Sequence, residues 1–221
     1  MVATAVTFDL DDTLAVVTDD RETILERAAT DVGASGLTRE AYLEAHRRHH
    51  DNRSRTAIFA DLLEGAGQAS VDPEALASAY RRGIGEALEP VDGIDDLLTD
   101  LAAERPVGLV TNGPSLAQRD KLDRLGWTER FDAVVISGEV GRAKPDPEPF
   151  NEACRRLGVT PAETVHVGDS VTADVVGARA AGLSAVLVVD DADEPPFEVP
   201  TVRRSRLPEE LRRHVAACCP V

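Results

Sequence analysis

The stretch Phe8-Asp9-Leu10-Asp11-Asp12-Thr13-Leu14 decides how this chain is read. It follows a short apolar run, residues 4–8, that has the length and composition of a β-strand. Three carboxylates within four residues repel one another unless a cation or a proton is shared among them. Asp9 and Asp11 stand at i and i+2, so in an extended segment they point to the same side. A cluster of this kind just past a strand end reads as a site, not as a solvated turn.

Working outward, similar apolar runs recur at 107–110, 133–136, 164–167 and 185–189. Each is rich in Val, Ile or Ala and stops at a polar residue or glycine. Continuous apolar strands suit a parallel sheet covered on both faces. Helical patterns separate them. Residues 115–125 follow Pro114, favoured at a helix start, while 147–157 and 171–181 run into the stop signals Gly158 and Gly182. From 106 to 190 the alternation predicts an α/β fold with a doubly wound, parallel, Rossmann-like sheet. Residues 14–90 break the rhythm. They offer no strand candidate, and 21–32, 39–53, 56–64 and 73–88 all read as helices, with Thr38 as an N-cap. The expected organisation is a catalytic core of 1–13 plus 91–221 and an inserted all-α cap of 14–90. Residues 190–200 read as an acidic, Pro-rich loop, followed by a short strand near 199–202 and a helix over 208–217.

Polar residues gather after four of the predicted strands, at the sheet edge where ligands bind in open α/β folds. Besides the opening cluster there is Val110-Thr111-Asn112-Gly113-Pro114, a hydroxyl and an amide at a helix N-terminus, which favours an anion. Lys144 lies in the Pro-flanked loop Lys144-Pro145-Asp146-Pro147. The last is Val167-Gly168-Asp169-Ser170, with Asp174 five residues beyond Asp169. Carboxylates for a hard cation, beside hydroxyl, amide and ammonium groups for an anion, fit Mg²⁺ and a phosphate.

These four motifs, in this order, resemble the haloacid dehalogenase superfamily, in the branch with a helical cap inserted after the first motif. The resemblance covers essentially the whole chain and implies the following roles. Asp9 is the nucleophile that forms an aspartyl-phosphate, and Asp11 is the general acid and then the base. Thr111, Asn112 and Lys144 hold the phosphoryl oxygens. Mg²⁺ sits on Asp9, on the backbone carbonyl of Asp11 and on Asp169, while Asp174 orders a metal-bound water or Lys144. An acid at Asp11 needs a raised pKa, and crowding by Asp9 and Asp12 pushes that way. Members that cleave carbon–halogen bonds lack the second aspartate, so Asp11 favours phosphoryl transfer. Phosphatase and phosphomutase share the four motifs and both stay open, as does a non-catalytic binding protein. The implied reaction is a Mg²⁺-dependent hydrolysis of a small phosphorylated metabolite, by a monomer or homodimer.

Composition narrows the partners. Of 221 residues, 40 are acidic and 24 basic, a net charge of −16. That argues against a nucleic-acid backbone or an anionic membrane surface as partner. Hydrophobic residues make up 43%, enough for a real core. Only two of the basic residues are lysines, Lys121 and Lys144. An acidic, lysine-poor surface is expected of a salt-adapted, halophilic protein. It also makes Lys144 conspicuous, whereas Lys121, between Asp120 and Asp123 on a predicted helix, reads as an ordinary surface lysine. No apolar run is long enough to span a bilayer, and no secretion signal is seen, so a cytoplasmic protein with reduced thiols is expected. Residues 46–55 carry four arginines and three histidines against one aspartate. Arg47, His50 and Arg53 are candidates for a cap face that grips a second anionic group of the substrate. Asp12 reads as a residue of the turn and Cys154 as a small core residue.

Overall fold

The computed structural model describes residues 4–48, 55–190, 193 and 199–217. Strand β1 (Ala5–Phe8) leads into β2 (Ala15–Val17). Helices α1 (Arg21–Asp31), α2 (Arg39–Arg48), α3 (Thr56–Gly65) and α4 (Pro73–Glu86) follow, and β3 (Leu88–Pro90) brings the chain back. Then come α5 (Ile94–Glu104), β4 (Val107–Thr111), α6 (Ser115–Leu125), β5 (Ala133–Ile136), α7 (Ser137–Val140) and α8 (Glu148–Leu157). Strand β6 (Thr164–Gly168) runs into a π-helical turn, Val171–Val176, continued by α9 (Gly177–Ala180). Strands β7 (Ser184–Val189) and β8 (Thr201–Arg203) and helix α10 (Leu207–Ala217) complete the described chain.

Among the described residues six strands form one parallel sheet in the order β5-β4-β1-β6-β7-β8. This is the doubly wound α/β sheet expected from the sequence. Phe8 stands opposite Leu109 on one side and Val167 on the other, so β1 is central. The chain winds from β1 out to β5, then returns to β6 on the other flank. The winding therefore reverses at β1, and such a switch point opens a crevice at the carboxyl edge of the sheet. The Val and Leu side chains of the strands are buried on both faces, as parallel strands require.

Residues 14–90 differ from the reading in one respect. Ala15–Val17 and Leu88–Pro90 form an antiparallel pair with Ala15 opposite Pro90. Two further bonds extend it, Thr18 N to Ala87 O at 2.8 Å and Val91 N to Leu14 O at 2.9 Å. The two crossings into and out of the helical segment are thus zipped together. Strands of three residues are too short to show a period. The four helices have a hydrophobic cluster of their own, which includes Leu25, Phe59, Leu63, Leu76 and Tyr80. Tyr42, Phe59 and Tyr80 pack with ring centroids 5.3–5.5 Å apart, a favourable aromatic spacing. Asp20 caps α1 by accepting from Thr23 N, and Asp72 caps α4 with Pro73 at the first turn. The described part of α2 ends at Arg48, and residues 49–53 of the predicted 39–53 helix lie outside the described residues.

Candidate active site

Four backbone segments converge at the carboxyl edge of β1, β4 and β6. Asp9 follows β1 directly, and its N–H donates to Val167 O at 2.9 Å, locking the strand end against β6. Thr111 ends β4, and Asp169 follows β6. Asp174 comes from the π-helical turn, whose extra residue per turn brings its carboxyl back over β6. Gly168 makes this possible: a Cβ there would lie 2.3 Å from Asp174 Cγ.

Lys144 is the hub. Its side chain is 2% exposed. Its ammonium donates to Asp9 Oδ1 at 2.7 Å, Asp174 Oδ1 at 2.6 Å and the Val110 carbonyl at 2.8 Å. All three N–H bonds are therefore used, which a buried ammonium requires. Burial pushes its pKa down, but Asp9 and Asp174 outweigh that and raise it. Asn112 fixes the loop that carries it: Nδ2 donates to Lys144 O at 2.9 Å, and Lys144 N donates to Oδ1 at 2.8 Å. The Asn112 side chain is thus committed to positioning Lys144.

Asp174 is tied down on both oxygens. Oδ1 also faces His166 Nε2 at 3.0 Å, and Oδ2 accepts Ser170 N–H at 2.9 Å. Burial raises its pKa, but the Lys144 and His166 partners overcome it and hold the carboxyl well below its usual range. His166 is fully buried on β6, edge-on to Phe150 at 4.9 Å. Burial lowers its pKa against the pull of Asp174, which favours the neutral ring. The Nε2–H then donates to Asp174, while Nδ1 accepts from Thr7 Oγ1 at 3.0 Å. Sequence reading missed His166, although a histidine inside the apolar strand Thr164–Gly168 was the available signal.

Asp9, Asp169 and Asp174 bring one carboxylate oxygen each within 4.8 Å of one another. Burial raises Asp9 to about 7, with Asp174 and Asp11 adding to the shift against Lys144. Burial, then Asp174 and Asp12, raise Asp169 to about 6. These carboxylates hold more negative charge than Lys144 neutralises. Asp174 is committed to protein donors, Asp9 Oδ1 to Lys144 and Asp169 Oδ1 to Thr13 Oγ1 at 3.2 Å, so Asp9 and Asp169 each keep one oxygen with no donor among the described residues, open to a cation. An all-oxygen donor set without thiolate or imidazole fits a hard divalent ion.

Asp11 is where the structure corrects the sequence reading twice. Lys121 is buried, not a surface lysine, and its ammonium lies 2.6 Å from each Asp11 oxygen. Gln118 Nε2 adds a donor to Asp11 Oδ2 at 2.9 Å. Burial of Asp11 raises its pKa, but Lys121 and Gln118 reverse this, so the carboxyl is lowered and not raised as crowding predicted. The same Gln118 nitrogen reaches Thr111 Oγ1 at 2.8 Å and Asn112 O at 2.7 Å. Its two N–H bonds are thus shared among three acceptors, Asp11, Thr111 and Asn112. Asp12 has φ +56°, the left-handed conformation that Asp tolerates better than most residues. Its carbonyl accepts from Arg204 Nε at 2.9 Å. Of the three candidates on the helical segment, Arg47 is exposed in the last turn of α2, whereas His50 and Arg53 lie outside the described residues.

Residues 3–182 match the family model for the haloacid dehalogenase-like hydrolases. The chain is 34% identical over 214 residues to a glyceraldehyde 3-phosphate phosphatase of Methanopyrus kandleri, covering 88% of this chain and 92% of that one. It is 40% identical over 136 residues to a phosphoserine phosphatase of Thermus thermophilus, where the match covers 61% of this chain and 54% of the relative. Among solved structures, a HAD phosphatase of Thermococcus onnurineus superposes with a TM-score of 0.72 at 27% identity, over 96% of this chain and 97% of that one. A 2-haloacid dehalogenase of Pseudomonas syringae gives 0.72 at 28% identity, over 97% and 100%. Together with the four strand-end motifs and the sheet order, this match shows that the chain belongs to the haloacid dehalogenase-like hydrolases.

Proposed function

We propose that this protein is a Mg²⁺-dependent phosphatase that hydrolyses a small phosphorylated metabolite by way of a phosphoryl group carried on Asp9. The observation that carries the reading is the arrangement around Lys144. Its ammonium orients Asp9 through Oδ1, and among the described residues no protein donor takes Asp9 Oδ2. That leaves one carboxylate oxygen of Asp9 available as a nucleophile. Relatives named as phosphatases over most of this chain support the same reading.

In the first step an Asp9 oxygen attacks phosphorus and the bond to the leaving alcohol breaks. Asp11 donates the proton the alcohol needs. In the second step water attacks the phosphoryl group, Asp11 takes its proton, and Asp9 and inorganic phosphate are released. Thr111 directs its hydroxyl proton to a phosphoryl oxygen, Lys144 supplies fixed positive charge, and the Asn112 side chain holds Lys144 in register. Asp9 and Asp169, with the Asp11 carbonyl, would hold the Mg²⁺. Bound there, the ion would offset charge on the phosphoryl oxygens. Asp11 can act as an acid only after giving up its contact with Lys121, so the geometry described here is that of the resting site.

The helical segment 14–90 then serves as a cap over the crevice, excluding water and selecting substrate. The expectation of a cytoplasmic protein belongs to this reading. No helix among the described residues is long and apolar enough to cross a membrane. The test is a panel of phosphorylated metabolites assayed for phosphate release with Mg²⁺, run beside a 2-haloacid assayed for halide. Mg²⁺-dependent phosphate release without halide release is expected. Halide release without a metal requirement would replace this reading by dehalogenation, and interconversion of phosphosugars with little free phosphate would replace it by a mutase.

A further inference from the structure

A recess between α4 and α6, beside the candidate active site, is lined by Arg55, Arg81, Lys121 and Arg124 against one carboxylate, Asp120. In a chain of net charge −16, so many cations gathered among the described residues of one recess need a reason. Arg81 pairs with Asp120 and Lys121 with Asp11, both at 2.6 Å, which leaves Arg55 and Arg124 without a carboxylate partner among the described residues. The guanidinium of Arg55 lies 5.5 Å from the Tyr80 ring centroid and is bound there by cation–π attraction, and its buried Nε has no hydrogen-bond partner among the described residues. Arg124 lies along α4 at Gly85, where a Cβ would come within 2.3 Å of its Nε. Glycine at 85 therefore lets this guanidinium approach the helix.

Lys121 links the recess to the chemistry. The three N–H bonds of Lys144 reach three different acceptors, but among the described residues Lys121 spends its own on the two oxygens of Asp11 alone. An ammonium has three donors, so Lys121 retains capacity for a further acceptor. Arg21 and Arg55 also lie close enough to repel its charge. Like charges held together in a partly buried place favour an anion among them.

We propose that this recess takes a carboxylate of the substrate, so that the preferred phosphomonoesters carry a carboxylate a few atoms from the phosphate. The inference rests on the phosphatase reading and adds a substrate class to it. The open volume of the recess is about 10 Å³, room for about one water-sized group. That space admits one oxygen of a carboxylate. Because Lys121 touches Asp11, the carboxylate sits on the leaving-group side, and the linker is short.

The experiment compares kcat/KM for phosphoglycolate and ethyl phosphate, which have the same chain length and differ in the carboxylate. It is run on the wild-type protein, on Arg55→Gln and on the exposed-site variant Arg124→Gln. The wild type is expected to favour phosphoglycolate by about tenfold or more, the scale of a charge-assisted contact. Both variants should reduce that ratio, mainly through KM, and Arg55→Lys should recover part of it. A wild-type ratio near one, or a ratio unchanged in Arg124→Gln, would overturn the inference while leaving the phosphatase reading intact. If neither these esters nor p-nitrophenyl phosphate is hydrolysed, the phosphatase reading fails and this inference with it.

Discussion

Both carboxylate oxygens of Asp11 lie 2.6 Å from the ammonium nitrogen of Lys121. The residue assigned the general-acid role is therefore held as a carboxylate by a buried lysine on α6, with Gln118 as a second clamp. Lys121→Met removes the ammonium but keeps the chain length. It should cost about 1–3 kcal/mol of stability, since Asp11 stays partly buried and loses a charged partner. Asp11 itself is held low chiefly by Lys121 acting against burial, so its pKa should rise in the variant. The acid form then persists to higher pH, and the alkaline limb of the kcat profile should move upward. A pH–rate profile identical to that of the wild type would show that Lys121 does not set the ionisation of Asp11.

Asp174 is the second load point of the site. It accepts from Lys144, from His166 and from the Ser170 backbone, and its side chain is 2% exposed. Asp174→Asn leaves a buried ammonium with one carboxylate where it had two. Breaking a buried pair of this kind costs about 3–5 kcal/mol. Urea unfolding should show a clear fall in midpoint, with turnover falling as Lys144 loses its orientation. An unchanged midpoint would mean that the Asp174 contacts add nothing to stability.

Metal and pH should act together on stability. Asp9 is raised to about 7 and Asp169 to about 6, both from 3.8. The metal-free folded state then binds more protons than the unfolded chain between about pH 4 and 7, so these two groups lower stability as pH rises through that window. His166 has the opposite sign, because its folded pKa is depressed. The difference between Mg²⁺-loaded and metal-free protein isolates the carboxylates, which must be deprotonated to hold a cation. The rise in Tm produced by Mg²⁺ should therefore be larger at pH 7.5 than at pH 5.5. A rise independent of pH, or none, would count against a cation on Asp9 and Asp169.

The parallel sheet was legible because its strands are buried on both faces and so read as unbroken apolar runs. The helix 115–125 was legible from the proline that precedes it and 21–32 from its composition, and the described α6 and α1 end within a residue of those readings. The pair β2 and β3 was not, since three residues carry no period. Helix α5 was passed over although Ile94, Leu97, Leu98 and Leu101 follow the helical spacing and are all buried. At the site, Asp9, Thr111, Lys144 and Asp169 stood out because each interrupts an apolar strand end or resists a composition bias. The scarcity of lysine that picked out Lys144 applied equally to Lys121. The local pattern around Lys121 hid it: aspartates flank it at 120 and 123, and its partner Asp11 is 110 residues away. The lowered pKa of Asp11 was beyond reach for the same reason, because like-charge crowding is visible in sequence and a distant counter-ion is not.

The most direct test of the account is phosphate release by Asp9→Asn in saturating Mg²⁺. An asparagine oxygen is too weak a nucleophile to form the phosphoryl-enzyme, so turnover of p-nitrophenyl phosphate should fall by about 10³-fold or more while circular dichroism shows a folded chain. Turnover within a few fold of wild type, from a folded variant, would contradict Asp9 as the residue that carries the phosphoryl group.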